Sequence, residues 1–306
     1  MRKNHLTRRT FVGSLAGLGG ATALPALGQA PTSGTILKKP IPRTGEQIPA
    51  IGLGTWITFN VGNDERLRAA RTQVMQTFFD RGGSLIDSSP MYGSSEAVIG
   101  HGLARIKNRG ALFSAGKVWT LLKALGVSQM EASRKYWGVE RFDLMQVHNL
   151  LDWSSHIETL KAEGRVRYIG ITTSQGWRHG DLEQIMRSQP IDFVAFTYNV
   201  LDRDVEERLL PLAADKGIAV IINRPFQEGV LIERMMHHPL PPWAGEIDCA
   251  NWAQFLLKFI VSHPAVTCAI PATRRVDHME ENMGALRGRL PDAKMRVRMA
   301  RYAENV

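Results

Sequence analysis

The stretch Ser84-Leu85-Ile86-Asp87-Ser88-Ser89-Pro90-Met91-Tyr92-Gly93 decides how the rest of the chain is interpreted. Its apolar start has the pattern of a buried strand that ends at Asp87. A Ser-Ser-Pro turn then leads to Tyr92, and the glycine after it allows the chain to bend before a helix. A carboxylate at a strand end and a phenol on the next loop are able to face one cleft. Taken alone, the stretch is equally consistent with a helix N-cap and an ordinary surface tyrosine.

Apolar runs of the same kind recur along the chain, with segments of helical length and period between them. The first of these helices is predicted to begin after Asp64, which is a suitable N-cap, and to end near Asp80. The eight runs occupy residues 48–54, 85–86, 111–113, 144–147, 166–171, 191–196, 218–222 and 266–270.

Eight buried strands that alternate with helices predict an α/β protein, and right-handed crossovers are able to close such strands into a barrel. We therefore predict one (β/α)8 TIM barrel domain over residues 31–306, which starts with an entry segment at residues 36–48 that has a hairpin turn at Gly45. A doubly wound open sheet is the alternative. It is less favoured because no G-x-G-x-x-G follows the first strand.

Residues 1–30 have the pattern of a twin-arginine export signal. Arg8 and Arg9 precede an apolar, glycine-containing run, and Ala30 offers a site for cleavage. This pattern predicts a protein that is folded in the cytoplasm, handed to the twin-arginine export machinery and located in the periplasm or outside the cell. The apolar run is too short for stable membrane insertion after processing. A disordered N-terminus without an export function is the alternative.

The chain has 306 residues and a formal net charge of +9, which becomes less positive once the signal segment is removed. A moderate positive charge suits an anionic cofactor, although spread-out charge is more often a solvated surface. Basic runs with interleaved aromatic residues do not occur, so no nucleic-acid partner is expected. Two cysteines are too few for a disulfide framework. No metal is expected, because the adjacent pair His237-His238 lacks a third ligand.

In a barrel of this kind, functional groups lie on the loops that follow the strands. Asp87 and Tyr92 follow the second predicted strand, Lys117 follows the third and His148 the fourth. A single lysine or histidine at such a position is usually structural, but four such residues in succession indicate a site. Their order resembles the catalytic tetrad of the aldo-keto reductases, and the resemblance extends from residues 52–56 to residues 280–282. In detail, the sequence resembles a branch of exported bacterial members of that family.

The resemblance implies reduction of a small-molecule aldehyde or ketone to an alcohol by hydride transfer. Tyr92 would be the general acid, with a pKa lowered by the cation of Lys117. Asp87 would hold Lys117 in place, and His148 would donate a hydrogen bond to the substrate carbonyl. Trp56, like Trp119 and Leu151, follows a barrel strand and could line an apolar substrate pocket, although core packing is at least as common for tryptophan.

The hydride requires a nicotinamide cofactor, since no side chain donates one. Arg274 favours NADPH over NADH because a guanidinium makes forked contacts with a phosphate. Arg224 and Phe226 would contact the pyrophosphate, or else be a loop charge and a core aromatic. The resemblance assigns the cofactor to Gly54, Thr55, Trp56, Thr172, Thr173, Arg224, Phe226, Thr273, Arg274, Glu281 and Asn282, with Thr273 and Arg274 at the 2′-phosphate and the last two near adenine.

Two positions depart from the family pattern. Thr172-Thr173 stands where Ser-Asn is usual, and Ala195 stands where a glutamine is usual, four residues before Asn199. Those side chains normally hold the nicotinamide carboxamide, and the side chain of Ala195 cannot form a hydrogen bond. Two functions therefore remain open: a carbonyl reductase, and a nicotinamide-nucleotide-binding regulatory or sensor subunit with little turnover.

Overall fold

The computed structural model describes residues 35–306 except 163–165, and the predicted export signal at residues 1–30 lies outside this range. Strands and helices alternate along most of the described chain. The strands are β1 (Lys38–Pro40), β2 (Gln47–Pro49), β3 (Leu53–Gly54), β4 (Leu85–Asp87), β5 (Phe113–Val118), β6 (Phe142–His148), β7 (Val166–Thr172), β8 (Phe193–Thr197), β9 (Ala219–Asn223) and β10 (Cys268–Ala269). The helices are α1 (Glu65–Asp80), α2 (Ser95–Leu103), α3 (Lys123–Trp137), α4 (Trp153–Ala162), α5 (His179–Ser188), α6 (Leu209–Lys216), α7 (Val230–Met236), α8 (Trp252–Val261), α9 (Val276–Gly284) and α10 (Ala293–Glu304).

Strands β3 to β10 form one parallel sheet in which each strand pairs with its neighbour in sequence. Parallel bridges join Ile51 to Ala269 and Gly54 to Ala272, so the first strand also meets the last. The close approach requires glycine, because a Cβ on Gly54 would lie 2.6 Å from the carbonyl oxygen of Ile270. The predicted (β/α)8 barrel is confirmed.

The N-terminal hairpin covers one end of the barrel. Strands β1 and β2 pair antiparallel, and Gly45 has the positive φ of +75° that the turn requires. Ile41 and Ile48 of this hairpin are buried in one apolar cluster with inward-facing residues of the barrel strands, among them Leu85 and Phe113. The carboxyl ends of the strands are therefore left as the end where a site can open.

A second and larger apolar cluster lies between the strands and the surrounding helices. Helix α1 begins where the sequence predicts, since the side chain of Asp64 accepts a 2.9 Å hydrogen bond from the backbone N–H of Leu67. Within the described part of the chain, no helix combines the length and apolar character needed to cross a bilayer.

Two strands differ most from the sequence-based prediction. The run at residues 48–54 is divided between β2 of the hairpin and β3 of the barrel. Strand β5 begins at Phe113 and continues to Val118, so Lys117 lies within the strand rather than after it. The small residues before Lys117 concealed this extension, although Ser114 is held in place by Asp143, whose Oδ2 accepts from both the backbone N–H and the hydroxyl of Ser114 at 2.7 and 3.0 Å.

Candidate active site

Asp87 and Lys117 form a buried ion pair inside the barrel, at the carboxyl ends of β4 and β5. The ammonium of Lys117 donates to Oδ1 of Asp87 and, at 3.2 Å, to the backbone oxygen of Ser88. Burial is the largest single influence and disfavours the charged ammonium, but the charges of Asp87 and Tyr92 and the hydrogen bonds to them together outweigh it and raise the pKa of Lys117 above its ordinary value. Lys117 is therefore a fixed positive charge in the barrel interior.

Tyr92 ends a 3-10 turn that follows β4, and its ring lies beside this ion pair. The Nζ atom of Lys117 is 5.2 Å from the centroid of the Tyr92 ring. The ring also makes edge-to-face contacts with Trp56, at a centroid distance of 5.0 Å, and with His148, at 5.7 Å. The structure thus brings together all four side chains of the predicted tetrad.

Burial raises the pKa of the Tyr92 phenol above its ordinary value. The charge and hydrogen bonding of Lys117 act in the opposite direction, as the sequence predicts, but they do not outweigh burial. The phenol of Tyr92 consequently carries its proton near neutral pH. It is in the state that a proton donor needs.

His148 ends strand β6 and is buried. Burial, together with the positive charge of Lys117, lowers the pKa of His148 to about 3, so the ring is neutral at physiological pH. Its Nδ1 lies 2.8 Å from the hydroxyl of Ser89, which also accepts a 3.2 Å hydrogen bond from the N–H of Met91. When the hydroxyl of Ser89 donates to Nδ1, Nε2 of His148 carries the ring hydrogen and is a donor.

Sequence reasoning missed two residues of this site. Ser89 was assigned only to a turn, and its contact with His148 depends on the folded loop. Gln146 lies inside the apolar run of β6, and its Nε2 donates a 2.8 Å hydrogen bond to Oδ2 of Asp87. A polar residue two positions before His148, on the same face of the strand, is the signal that could have found it.

The three cofactor-binding residues predicted at the end of β3 have different roles in the structure. Gly54 closes the barrel, as described above. Thr55 is buried, and its hydroxyl donates a 2.8 Å hydrogen bond to the backbone oxygen of Asp87, which fixes the end of β4. Trp56 is 39% exposed and contacts Tyr92, so it lies at the mouth of the site.

The two threonines predicted at the carboxamide lie at the carboxyl end of β7. Thr172 pairs with His148 and Ala195 in the neighbouring strands and is buried. Ala195 belongs to the apolar cluster inside the barrel. The hydroxyl of Thr173 is buried and has no hydrogen-bond partner among the residues that the structure describes. A buried hydroxyl without a partner is unfavourable and suits a site that receives a polar group.

Beyond β9, Arg224 has a positive φ of +49° and its guanidinium forms an ion pair with Glu228. Phe226 is partly buried against the larger apolar cluster. Phe226 therefore packs in the core, which was the alternative to a pyrophosphate contact. Arg224 has an acidic partner within its own loop.

The four residues predicted at the adenosine end lie between β10 and the end of α9. Thr273 is buried, and its hydroxyl accepts a 3.2 Å hydrogen bond from the N–H of Arg275. Arg274 is exposed, and its backbone oxygen accepts a 3.4 Å hydrogen bond from Arg71. Glu281 is partly buried and Asn282 buried on α9. The exposed side chain of Arg274 therefore lies on the segment that leads into α9.

The polar side chains at the carboxyl ends of β7 and β8 fit a nicotinamide nucleotide. The hydroxyl of Thr173 and the amide nitrogen Nδ2 of Asn199, at the ends of β7 and β8, are buried without partners in the described part of the chain. A carboxamide offers both a donor and an acceptor for such groups. No cluster of three or more metal-ligating side chains occurs among the described residues.

The profile described as "Aldo/keto reductase family" matches residues 50–297. The methylglyoxal reductase YeaE of Escherichia coli is 25% identical over 260 residues, which cover 81% of this chain and 89% of that protein. The NADH-specific methylglyoxal reductase of Escherichia coli is 25% identical over 226 residues, which cover 63% of this chain and 68% of that protein.

Solved structures agree with the fold. The crystal structure of an aldo/keto reductase from Klebsiella pneumoniae in complex with NADP and acetate is similar with a TM-score of 0.70 and 24% sequence identity. The similarity covers 85% of this chain and 93% of that chain. At this level of identity, the likeness supports the barrel architecture.

Proposed function

Because the chain belongs to the aldo/keto reductase family of NAD(P)H-dependent oxidoreductases, we propose that it reduces an aldehyde or ketone to an alcohol with Tyr92 as general acid. One observation carries the proposal: the phenol of Tyr92, the ammonium of Lys117 and the imidazole of His148 converge at the carboxyl ends of the strands. These are the groups that a carbonyl oxygen needs when it gains negative charge and a proton.

The proton is donated by Tyr92. Its phenol is protonated near neutral pH because burial raises its pKa. As the proton leaves, negative charge develops on the phenol oxygen, and the ammonium of Lys117 stabilises that charge. Asp87 keeps Lys117 charged and in place, so the cation is present before the reaction begins and no reorganisation is needed.

His148 orients the substrate. Its ring is neutral, and Nε2–H is available as a donor to the carbonyl oxygen while Nδ1 is occupied by Ser89. A neutral donor polarises the carbonyl without competing with Tyr92 for the transferred proton. Trp56 packs on Tyr92 and narrows the mouth, which helps to exclude water.

We assign NADPH as the preferred cofactor, and it supplies the hydride when bound. Thr172 and Thr173 would hold the carboxamide, Thr273 and Arg274 the 2′-phosphate, and Glu281 and Asn282 would approach adenine. The exposed side chain of Arg274 and the NADP complex of the Klebsiella pneumoniae protein support this assignment. The NADH-specific relative makes NADH the comparison to measure.

The substrate is a small or medium carbonyl compound, and methylglyoxal belongs in the first panel because two relatives are named as methylglyoxal reductases. Exposed Trp56, Trp119 and Trp177 follow three barrel strands and give the mouth an apolar rim. Aromatic aldehydes are therefore the second class to test.

A single assay tests the proposal: purified protein, NADPH and an aldehyde panel, followed by the loss of NADPH absorbance. We expect turnover that depends on both the aldehyde and the protein. NADPH binding without oxidation of any aldehyde would favour the regulatory subunit instead. The unusual Thr173 and Ala195 at the carboxamide end are the features that keep this alternative relevant.

We also propose export through the twin-arginine machinery, supported by the motif at Arg8 and Arg9. Replacement of both arginines by lysine should retain the protein in the cytoplasm. The measurement is the distribution of the tagged protein between cytoplasmic and periplasmic fractions, with a periplasmic control protein. An unchanged distribution would contradict the proposal.

A further inference from the structure

Gln146 is completely buried in the barrel interior and contacts the buried ion pair. It lies on the same face of β6 as His148, and it pairs in register with Lys117 of β5. Its Nε2 donates a 2.8 Å hydrogen bond to Oδ2 of Asp87, while Lys117 occupies Oδ1. Both carboxylate oxygens of Asp87 are therefore held by donors, one from β5 and one from β6.

The neighbouring strand leaves room for this side chain. Gly170 of β7 pairs with Gln146, and a Cβ at Gly170 would lie 3.0 Å from Cγ of Gln146. The amide oxygen Oε1 of Gln146 has no hydrogen-bond partner in the part of the chain that the structure describes. A buried oxygen without a donor lowers stability, so an apolar residue of the same size would serve packing better.

We propose that Gln146 is a positioning residue for the proton donor, because its amide holds the second carboxylate oxygen of Asp87 and directs that carboxylate at Lys117, and thereby keeps the ammonium in place beside Tyr92. This inference rests on the proposed reductase function. It assigns a role to a residue inside β6, two positions before His148, that is not one of the four residues of the predicted tetrad.

The physical reason is the orientation of the buried carboxylate. Its two oxygens accept from donors on two different strands, so the carboxylate cannot turn away from the ammonium. Without the amide of Gln146, Oδ2 would be buried without a donor, which is unfavourable, and the carboxylate would turn toward another donor. The ammonium of Lys117 would then lose its fixed place beside Tyr92 and would stabilise negative charge on the phenol oxygen less well.

Two variants distinguish positioning from packing. In Gln146→Met the volume is kept and the donor is lost, and we expect kcat to fall at least about tenfold while the Kd for NADPH changes less than about twofold. In Gln146→Glu a protonated carboxyl can still donate to Asp87. We expect near-normal kcat at acidic pH and an additional ionisation through which kcat falls as the pH rises.

The carboxyl group introduced by Gln146→Glu would titrate in a known environment. A carboxyl placed beside Asp87 in the barrel interior loses its proton at a higher pH than in water, since burial and like charge both oppose ionisation. Lys117 acts in the opposite direction. Besides Asp87 and Lys117 themselves, the titratable groups that interact with this ion pair are Tyr92 on the loop after β4, Glu96 on α2, His148 on β6 and Cys268 on β10.

A measurement that does not depend on turnover separates this inference from the proposed function. The ionisation of Tyr92 can be followed by NMR with ring-labelled tyrosine, with Tyr92→Phe used to assign the signal. In Gln146→Met the midpoint should rise by about one pH unit, because the cation beside the phenol is weakened. An unchanged midpoint would overturn the inference whether or not an aldehyde is reduced. Equal, pH-independent losses of kcat in both variants would also overturn it.

Discussion

The ammonium of Lys117 and the carboxylate of Asp87 form an ion pair in the barrel interior, with side chains that are only 4% and 3% exposed. Burying two charges costs several kcal/mol per ion, and their attraction only approximately offsets that cost. An apolar pair of the same volume would fold at least as well. The pair is therefore explained by what it does to Tyr92, whose ring centroid lies 5.2 Å from the ammonium nitrogen.

This ion pair predicts that mutations can change the stability of the protein and its activity independently. Lys117→Met leaves the buried carboxylate of Asp87 without its cation, and we expect a loss of about 3–5 kcal/mol in the free energy of unfolding. The double variant Asp87→Asn with Lys117→Met should recover most of that stability and show no carbonyl reduction. Urea unfolding and the NADPH assay provide the two measurements. A double variant that regains activity would remove the ion pair from the mechanism.

The unpartnered hydroxyl of Thr173 predicts an effect on cofactor binding without a loss of stability. Thr173→Val removes a buried hydroxyl that has no partner in the described part of the chain, so unfolding should be unaffected or slightly more difficult. The Kd for NADPH should rise about 2- to 10-fold, the value of one net hydrogen bond. Fluorescence titration measures the Kd.

Thr197→Val is the matched control for that variant. The hydroxyl of Thr197 donates to Oδ1 of Asn223 at 2.8 Å and accepts from the N–H of Gln175 at 3.0 Å. Its loss removes both of these partly buried hydrogen bonds and should cost about 1–3 kcal/mol of stability. If Thr173→Val were the less stable of the two variants and bound NADPH normally, its hydroxyl would not belong to the cofactor site.

Arg274 and Arg275 provide an adjacent pair for testing cofactor preference. Arg274 is exposed, whereas Arg275 forms an ion pair with Asp277, in which its Nε lies 2.9 Å from Oδ1. Arg274→Ala should raise the Kd for NADPH by at least about tenfold and leave that for NADH unchanged, because a charge-assisted contact to the 2′-phosphate is lost. Arg275→Ala should affect both cofactors little. Equal losses for both cofactors in Arg274→Ala would argue against a 2′-phosphate contact.

The buried His148 predicts a pH dependence of stability. Its pKa is about 3 in the folded chain, because burial and Lys117 disfavour the charged ring, against about 6.5 in an unfolded chain. Between these values the unfolded state binds more protons, so stability falls as the pH is lowered from 6.5 toward 3. From pH 7 to pH 4.5 this contribution is about 2–3 kcal/mol.

His148→Asn should remove that contribution. The comparison is the difference in unfolding free energy between pH 7 and pH 4.5, measured in urea for the parent and the variant. His263, whose pKa is lowered by burial to about 4, adds its own dependence to both proteins and cancels in the comparison. The same pH dependence in parent and variant would mean that His148 is not held neutral by the fold.

The barrel was predictable because its strands are buried on both faces and appear as apolar runs. Its closure was less evident, since β3 is only two residues long and depends on the glycine contact of Gly54 with the Ile270 carbonyl. Such a contact depends on residues far apart in sequence. Likewise, the length of β5 could not be judged from its small residues.

The tetrad was predictable because each member stands out against its surroundings, at or near a strand end. Gln146 was hidden inside an apolar run, and its importance depends on the carboxylate of Asp87 in a strand that is not its neighbour. The direction in which the pKa of Tyr92 is shifted could not be predicted from the sequence either. The sign of the Lys117 contribution follows from charge alone, whereas the larger contribution of burial requires the folded loop.

The central claim is that Tyr92 gives the proton to the substrate. Its most direct test is single-turnover oxidation of bound NADPH by an aldehyde, compared between the parent and Tyr92→Phe by stopped-flow absorbance. The account predicts that the variant binds NADPH with a nearly unchanged Kd and reduces the aldehyde at least about 100-fold more slowly, as expected for a lost general acid. A variant that oxidises NADPH at the rate of the parent would contradict it.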